Sequence, residues 1–230
     1  MAADLDLYAA AKEGDVSKCR HCLEMGANVN EASASMTPLW IACHYGQLEV
    51  VRLLLAFGAD IEQSAWHGGG PLCQASQSGH LEVVRVLLDA GASIDRPDES
   101  GRSPLHRAAG TGRLDVIKEL IVRGAAVDIP DAKGMTPLFT AVARGALDVV
   151  SVLLEHGAVA DRVDGSSRTL LHVAGIAGDL ALVRTMLARG AAVDAVDSEG
   201  RSALACASAA GHAEVVRELV QRGAEIDRMD

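Results

Sequence analysis

Apolar residues return along this chain in blocks with helical spacing. Val50-Val51 and Leu54-Leu55 lie one turn apart on one helical face, and Val215, Val216, Leu219 and Val220 repeat the block near the other end. A shorter, alanine-rich segment precedes each block. Aligned on Pro38, the pattern steps by 33 residues through Pro71, Pro104, Pro137, Leu170 and Ala203. Eight residues past each anchor stands a glycine: Gly46, Gly79, Gly112, Gly145, Gly178 and Gly211. Twenty past each stands another, always before alanine: Gly58, Gly91, Gly124, Gly157, Gly190 and Gly223. The N-terminal DLYAAAKEG holds the same frame, with Asp6 as anchor, then Gly14 and Gly26-Ala27, and the loop into the second unit is one residue shorter. Seven units in one register predict a repeat architecture.

Each column has a physical reading. Thr37, Ser103, Thr136, Thr169 and Ser202 stand where a side-chain oxygen can accept the orphan N–H groups of a first helix. Proline next to them fits the first turn, where its missing N–H costs nothing. Ala10, Ala42, Ala75, Ala108, Ala141, Ala174 and Ala207 keep that helix slim enough for close stacking. The first glycine ends the short helix and the second ends the longer one, both in the left-handed conformation. A unit alone exposes its apolar face, so stacking must bury it. In the first unit Lys18 and His21 replace apolar positions of later units, as expected of an N-terminal cap.

MTPLWIACHYGQLEVVRLLLAFGAD and RSPLHRAAGTGRLDVIKELIVRGA resemble the ankyrin family, whose pattern runs T-P-L-H-x-A-A, G-H, L-L, G-A-D. The resemblance covers essentially the whole chain. It implies an all-α solenoid of seven helix-turn-helix units with hairpin-like finger loops between them. The chain is then one repeat domain over 1–230, with repeats at about 1–31, 32–64, 65–97, 98–130, 131–163, 164–196 and 197–230. Function follows from the family only loosely, because a fold does not fix what binds to it.

Composition narrows the function classes. The residues are 49% hydrophobic but 3% aromatic, so the core is alanine, leucine and valine, as suits thin stacked helices. A net charge of −10 argues against nucleic acid or an anionic membrane as the partner. Five cysteines are odd in number in a chain that needs no staples, so a reducing compartment is expected: the cytoplasm, with the nucleus as the other candidate. The acidic N-terminus is unlike a secretory signal, and no apolar stretch reaches membrane-spanning length.

Candidate chemistry mostly dissolves in the register. Cys19 and Cys22 look like a metal or redox pair but occupy columns held elsewhere by Val51 and Leu54, which makes them core residues. His67-Gly68-Gly69-Gly70 resembles an esterase oxyanion loop, yet no G-x-S-x-G accompanies it and the glycines fall in a finger turn. His106 and His172 fill the family's usual histidine column and read as structural. Glu49, Glu82, Asp115 and Glu214 open second helices, with Arg52, Arg85, Lys118 and Arg217 three residues on. Glu62, Asp95, Asp128, Asp161, Asp194 and Asp227 recur after each G-A pair and read as parts of the finger geometry. No cofactor is implied.

Columns that vary are free to recognise something. In the family's architecture the exposed concave face is the finger tip plus one side of the first helix: five, four and two residues before the anchor, six and seven after it. In repeats two and three these columns hold Met36, His44, Tyr45, Trp66 and His67, with Tyr45 and Trp66 expected side by side as an interface anchor. Further on they hold Arg102, Lys133, Met135, Arg144, Arg168 and Arg201 against Glu99 and Glu199, a strip of +3 suited to an acidic segment of another protein. The expectation is a non-catalytic scaffold that binds a partner protein on this face. The alternatives are RNA binding through Arg102, Arg168 and Arg201, a metal-dependent site using His44 and His67, or a structural module of a longer protein. The seventh repeat shows no polar closing helix, so weak self-association or fraying is expected there.

Overall fold

The first helix of most repeats opens on a side-chain cap. Thr37 Oγ1 accepts the Trp40 N–H at 3.1 Å, and Thr136 and Ser202 do the same for Phe139 and Ala205. Ser103 and Thr169 go further: Nδ1 of His106 and of His172 accepts the backbone N–H of the capping residue, at 3.1 and 3.2 Å, which completes a capping box. Both histidines are buried, in keeping with their structural reading.

The computed structural model describes residues 2–33, 35–63 and 69–226, with the backbone alone for residues 2–5. Among these residues it contains fourteen helices in two compact units, Met1–Ala126 and Val127–Asp230. The first unit carries α1 (Ala2–Glu13), α2 (Val16–Glu24), α3 (Pro38–Tyr45), α4 (Leu48–Ala56), α5 (Pro71–Ser78), α6 (Leu81–Asp89), α7 (Pro104–Thr111) and α8 (Leu114–Val122). The second carries α9 (Pro137–Ala143), α10 (Leu147–Glu155), α11 (Leu170–Ala177), α12 (Leu180–Ala188), α13 (Ala203–Ala209) and α14 (Ala213–Gln221). In the first unit α1, α3, α5 and α7 stack as one layer and α2, α4, α6 and α8 as the other. In the second, α11 packs between α9 and α13, and α12 on α14.

The alanine column explains the close stacking. Ala10, Ala42, Ala75 and Ala108 in the first unit, and Ala141, Ala174 and Ala207 in the second, are fully buried. A longer side chain there would have to push two helices apart. Second helices add Val50, Val51, Leu53 and Leu54, with their counterparts in later repeats, to the core. Cys19 and Cys22 are buried at the same level, and burial first, then Cys22 and Asp15, pushes the Cys19 thiol up to about 11. Lys18 and His21 lie exposed on the outer side of α2, as a capping repeat requires.

Polar side chains lock each repeat to the next. In four repeats the side chain nine residues after the anchor reaches back to a first-helix carbonyl of the preceding repeat: Gln47 to Lys12, His80 to His44, Arg113 to Gln77 and His212 to Ile176, at 3.0 to 3.2 Å. The reach explains Gly46, which has φ +72° and whose Cβ would stand 2.5 Å from the His80 ring. Four of the acids after the G-A pairs form a second lock, in which Asp161 takes no part. Glu62 accepts the Ser93 N–H, Asp95 that of Ala126, Asp128 that of Val159 and Asp194 that of Glu225; Asn30 does the same for Asp60. Asp227 lies outside the described residues.

Candidate protein-binding face

In the first unit the face is built from α1, α3 and the finger between α2 and α3. The imidazole of His44 stacks on Trp40 with ring centroids 5.7 Å apart and planes 8° from parallel. Tyr45 meets His44 edge-on at 4.7 Å, and Lys12 stands 5.8 Å from the centre of the Tyr45 ring. The Tyr8 hydroxyl approaches the Met36 sulfur at 4.0 Å. Burial, then the neighbouring Tyr45, pushes the Tyr8 phenol above its ordinary range.

This cluster is held rather than loose. Trp40 Nε1 donates to the Gly69 carbonyl at 3.1 Å. The Gln74 side-chain nitrogen lies 2.6 Å from His44 Nδ1 and also donates to the Ser78 hydroxyl at 3.2 Å. Tyr45 is 46% exposed on top of this support. Met36, His44 and Tyr45 are thus brought together, while Trp66 and His67 lie outside the described residues. Trp40 and Tyr8 complete the cluster and were not singled out by variability, because both stand two residues after an anchor.

Three of the four arginines of the expected basic strip, Arg102, Arg168 and Arg201, are tied down. Aspartates six residues before each anchor shape the finger: Oδ1 of Asp98, Asp131, Asp164 and Asp197 accepts backbone N–H groups two and four residues on. Oδ2 of Asp98 lies 3.3 Å from Arg102 Nε and also pairs with Arg107. Asp164 binds Arg168 at 2.7 Å, and Asp197 binds Arg201 at 2.8 Å. Burial pushes these three carboxyls up, but backbone donors and the guanidinium groups outweigh it and hold each below the usual carboxylate range. Counting the four aspartates turns the strip's +3 into −1.

In the second unit the fingers touch. The Gly165 N–H donates to the Lys133 carbonyl at 2.9 Å, which places Lys133 and Met135 beside Arg168. Below them a groove of about 270 Å³ is lined by Met135, Ala143, Arg168, Val173, Ile176 and Ala177. Ile176 is 41% exposed, and Lys133 and Arg144 are exposed. Among the described residues no three histidine, cysteine, aspartate or glutamate side chains are grouped to hold a metal, and no helix is long and apolar enough to cross a membrane.

The ankyrin-repeat family model matches in three copies, over residues 7–98, 72–164 and 159–230. The chain belongs to the ankyrin-repeat family. Its all-α architecture is of the ankyrin solenoid class, with about seven repeats. The human ASB11 ankyrin repeat domain, a crystal structure, is similar with a TM-score of 0.83 and 29% identity, over 95% of this chain and 98% of that one. The mouse (Mus musculus) 2-5A-dependent ribonuclease is 37% identical over 70 residues, which are 30% of this chain and 10% of the ribonuclease. That match covers an ankyrin segment only. Ankyrin repeats are generally protein–protein interaction modules.

Proposed function

We propose that this ankyrin-repeat chain is a non-catalytic scaffold that holds a partner protein on its finger and first-helix face. The observation that carries the reading is the Trp40–His44–Tyr45 stack, which presents an exposed tyrosine on a hydrogen-bonded base. A rigid aromatic surface lowers the ordering cost of association, and tyrosine and tryptophan are favoured hot-spot residues. Met36 and Tyr8 extend the apolar area beside it.

Other uses of the same face draw less support. Arg102, Arg168 and Arg201 each share a carboxylate, which weighs against RNA. His44 Nδ1 is occupied by Gln74, which weighs against metal. Five free, buried thiols suit a reducing compartment, and we assign the chain to the cytoplasm on that basis.

The test is quantitative affinity capture from lysate, comparing wild type with Tyr45→Ala and with Arg52→Ala on the exposed side of α4. Removing Tyr45 should lower recovery of the same co-purifying protein at least tenfold, a loss of about 1.4 kcal/mol, while Arg52→Ala leaves it unchanged. Equal recovery with all three proteins contradicts the proposal.

A further inference from the structure

The groove between α9 and α11 lies at a junction that lacks the reach-back lock. In four repeats the residue nine after the anchor reaches back to the preceding first helix, as His80 does to the His44 carbonyl and His212 to that of Ile176, while in the fifth repeat the position is Ala146, which has no polar side chain. At this junction the position is Asp179, whose carboxylate turns to its own helix and accepts the Ala181 and Leu182 N–H groups at 3.0 and 3.1 Å. The Ala143 carbonyl is left without that partner, and Ala143 and Ala177 are too small to fill the space. Accordingly α11 packs less closely on α9 than on α13.

The opening has an apolar floor and a basic rim. Met135, Val173 and Ile176 supply the apolar surface. Arg168 spends Nε and Nη2 on Asp164, which leaves Nη1 able to donate. Lys133 lines the adjoining hollow together with Met135 and Arg168, Arg144 follows Ala143 in the chain, and among the described residues neither has an ion-pair partner. The nearby carboxylates of Asp131, Asp164 and Asp179 each turn one oxygen to two backbone N–H groups, and the other oxygen of Asp164 is held by Arg168. At about 270 Å³ the groove is smaller than the ~300–1,000 Å³ of a small-molecule site and better suited to one side chain.

We infer that this groove takes a single apolar side chain, leucine, methionine or phenylalanine, from a partner segment with aspartate or glutamate on either side. This rests on the protein-binding reading and gives the second unit an anchor point of its own, with a stated chemistry, on its finger and first-helix side. The side chain replaces water on Met135 and Ile176, while the flanking carboxylates meet Lys133, Arg144 and the free edge of Arg168.

The experiment is methyl NMR on the full chain, following Met135, Val173 and Ile176 during titration with acetyl-Glu-Glu-Leu-Glu-Glu-amide. These methyls should shift with a dissociation constant below about 1 mM. The same peptide with alanine at its centre, or with lysine flanks, should bind at least tenfold more weakly. Ala143→Leu, at an exposed position, should fill the groove and abolish the shifts while the rest of the spectrum stays in place. Lys133→Glu with Arg144→Glu should reverse the flank preference. Absence of shifts, equal shifts with acidic and basic flanks, or unchanged binding by Ala143→Leu overturns the inference. None of these results touches Tyr45-dependent capture, so failure of the groove and failure of the general reading are separable.

Discussion

Arg168 and Asp164 hold each other within a single finger: Nη2 stands 2.7 Å and Nε 2.8 Å from Oδ2, with the carboxylate 2% exposed and the guanidinium 35%. The carboxylate also accepts the Ser166 and Arg168 N–H groups, so one aspartate closes the turn and fixes the arginine above it. An arginine on the binding face is therefore also a part of the finger.

This relationship changes what substitution should do. Asp164→Ala leaves two backbone donors and a guanidinium without their acceptor, and should cost about 1–3 kcal/mol. Asp131→Ala should cost less, because Met135 stands where the other fingers place arginine. Chemical denaturation of the two variants beside wild type measures both. Equal losses would show that the arginine adds nothing to the turn. By the same reasoning Arg168→Glu, which sets a second carboxylate against a buried one, should lower the melting temperature as well as alter binding.

The same carboxylates set the acid response. Asp98, Asp164 and Asp197 ionise more readily in the folded chain than in the unfolded one. Their stabilisation is fully present above the unfolded value, about 3.9, and is lost as pH falls through the lower folded values. Stability should therefore be flat from pH 7 to about 5 and fall steeply below about 4. Asp164→Asn should be less stable than wild type at pH 7 and converge with it near pH 2, by circular dichroism melts. A constant difference at all pH values would contradict this.

Much of this was legible in the chain itself. The 33-residue step, the glycine columns and the Ser/Thr caps each follow from local backbone chemistry, and each stands where the spacing placed it. The recurring acids after G-A were read as finger geometry, and Glu62, Asp95, Asp128 and Asp194 accept backbone N–H groups of the following repeat, while Asp161 does not. The charge strip was misjudged because the balance was taken over variable columns only. Asp98, Asp164 and Asp197 repeat faithfully, so a search for variation passes over the very groups that neutralise Arg102, Arg168 and Arg201. Trp40 was missed for a related reason: it stands inside the apolar anchor run, where an aromatic ring reads as core. The groove left its trace at Ala143 and Asp179, but that trace is an absent contact between residues 36 apart, which spacing alone does not reveal.

The seventh repeat carries its own expectation. Val215 and Leu219 are buried, but Val220 is 37% and Ile226 71% exposed, beside an open groove lined by Leu204, Ala205, Val216 and Val220. Helix α14 should exchange its amide hydrogens faster than α8, whose Val116, Ile117 and Leu120 are all buried. Glu218 opposes this, since it ties α14 to Arg184 at 2.8 Å. Hydrogen exchange compares the two helices in one sample. Equal protection in a monomeric sample would show that Glu218 and its arginines close the end adequately.

Photo-crosslinking tests the central claim, a partner protein on the finger and first-helix face, most directly. Benzoylphenylalanine placed singly at Tyr45 and at Ile176, each on the finger and first-helix side of its own unit, and at Phe57 and Val122 on the second-helix side of the first unit, samples four exposed apolar positions. In lysate, positions 45 and 176 should each give a discrete adduct with another protein, and positions 57 and 122 none. Adducts from 57 and 122 with none from 45 and 176 would place the partner on the second helices and contradict the account.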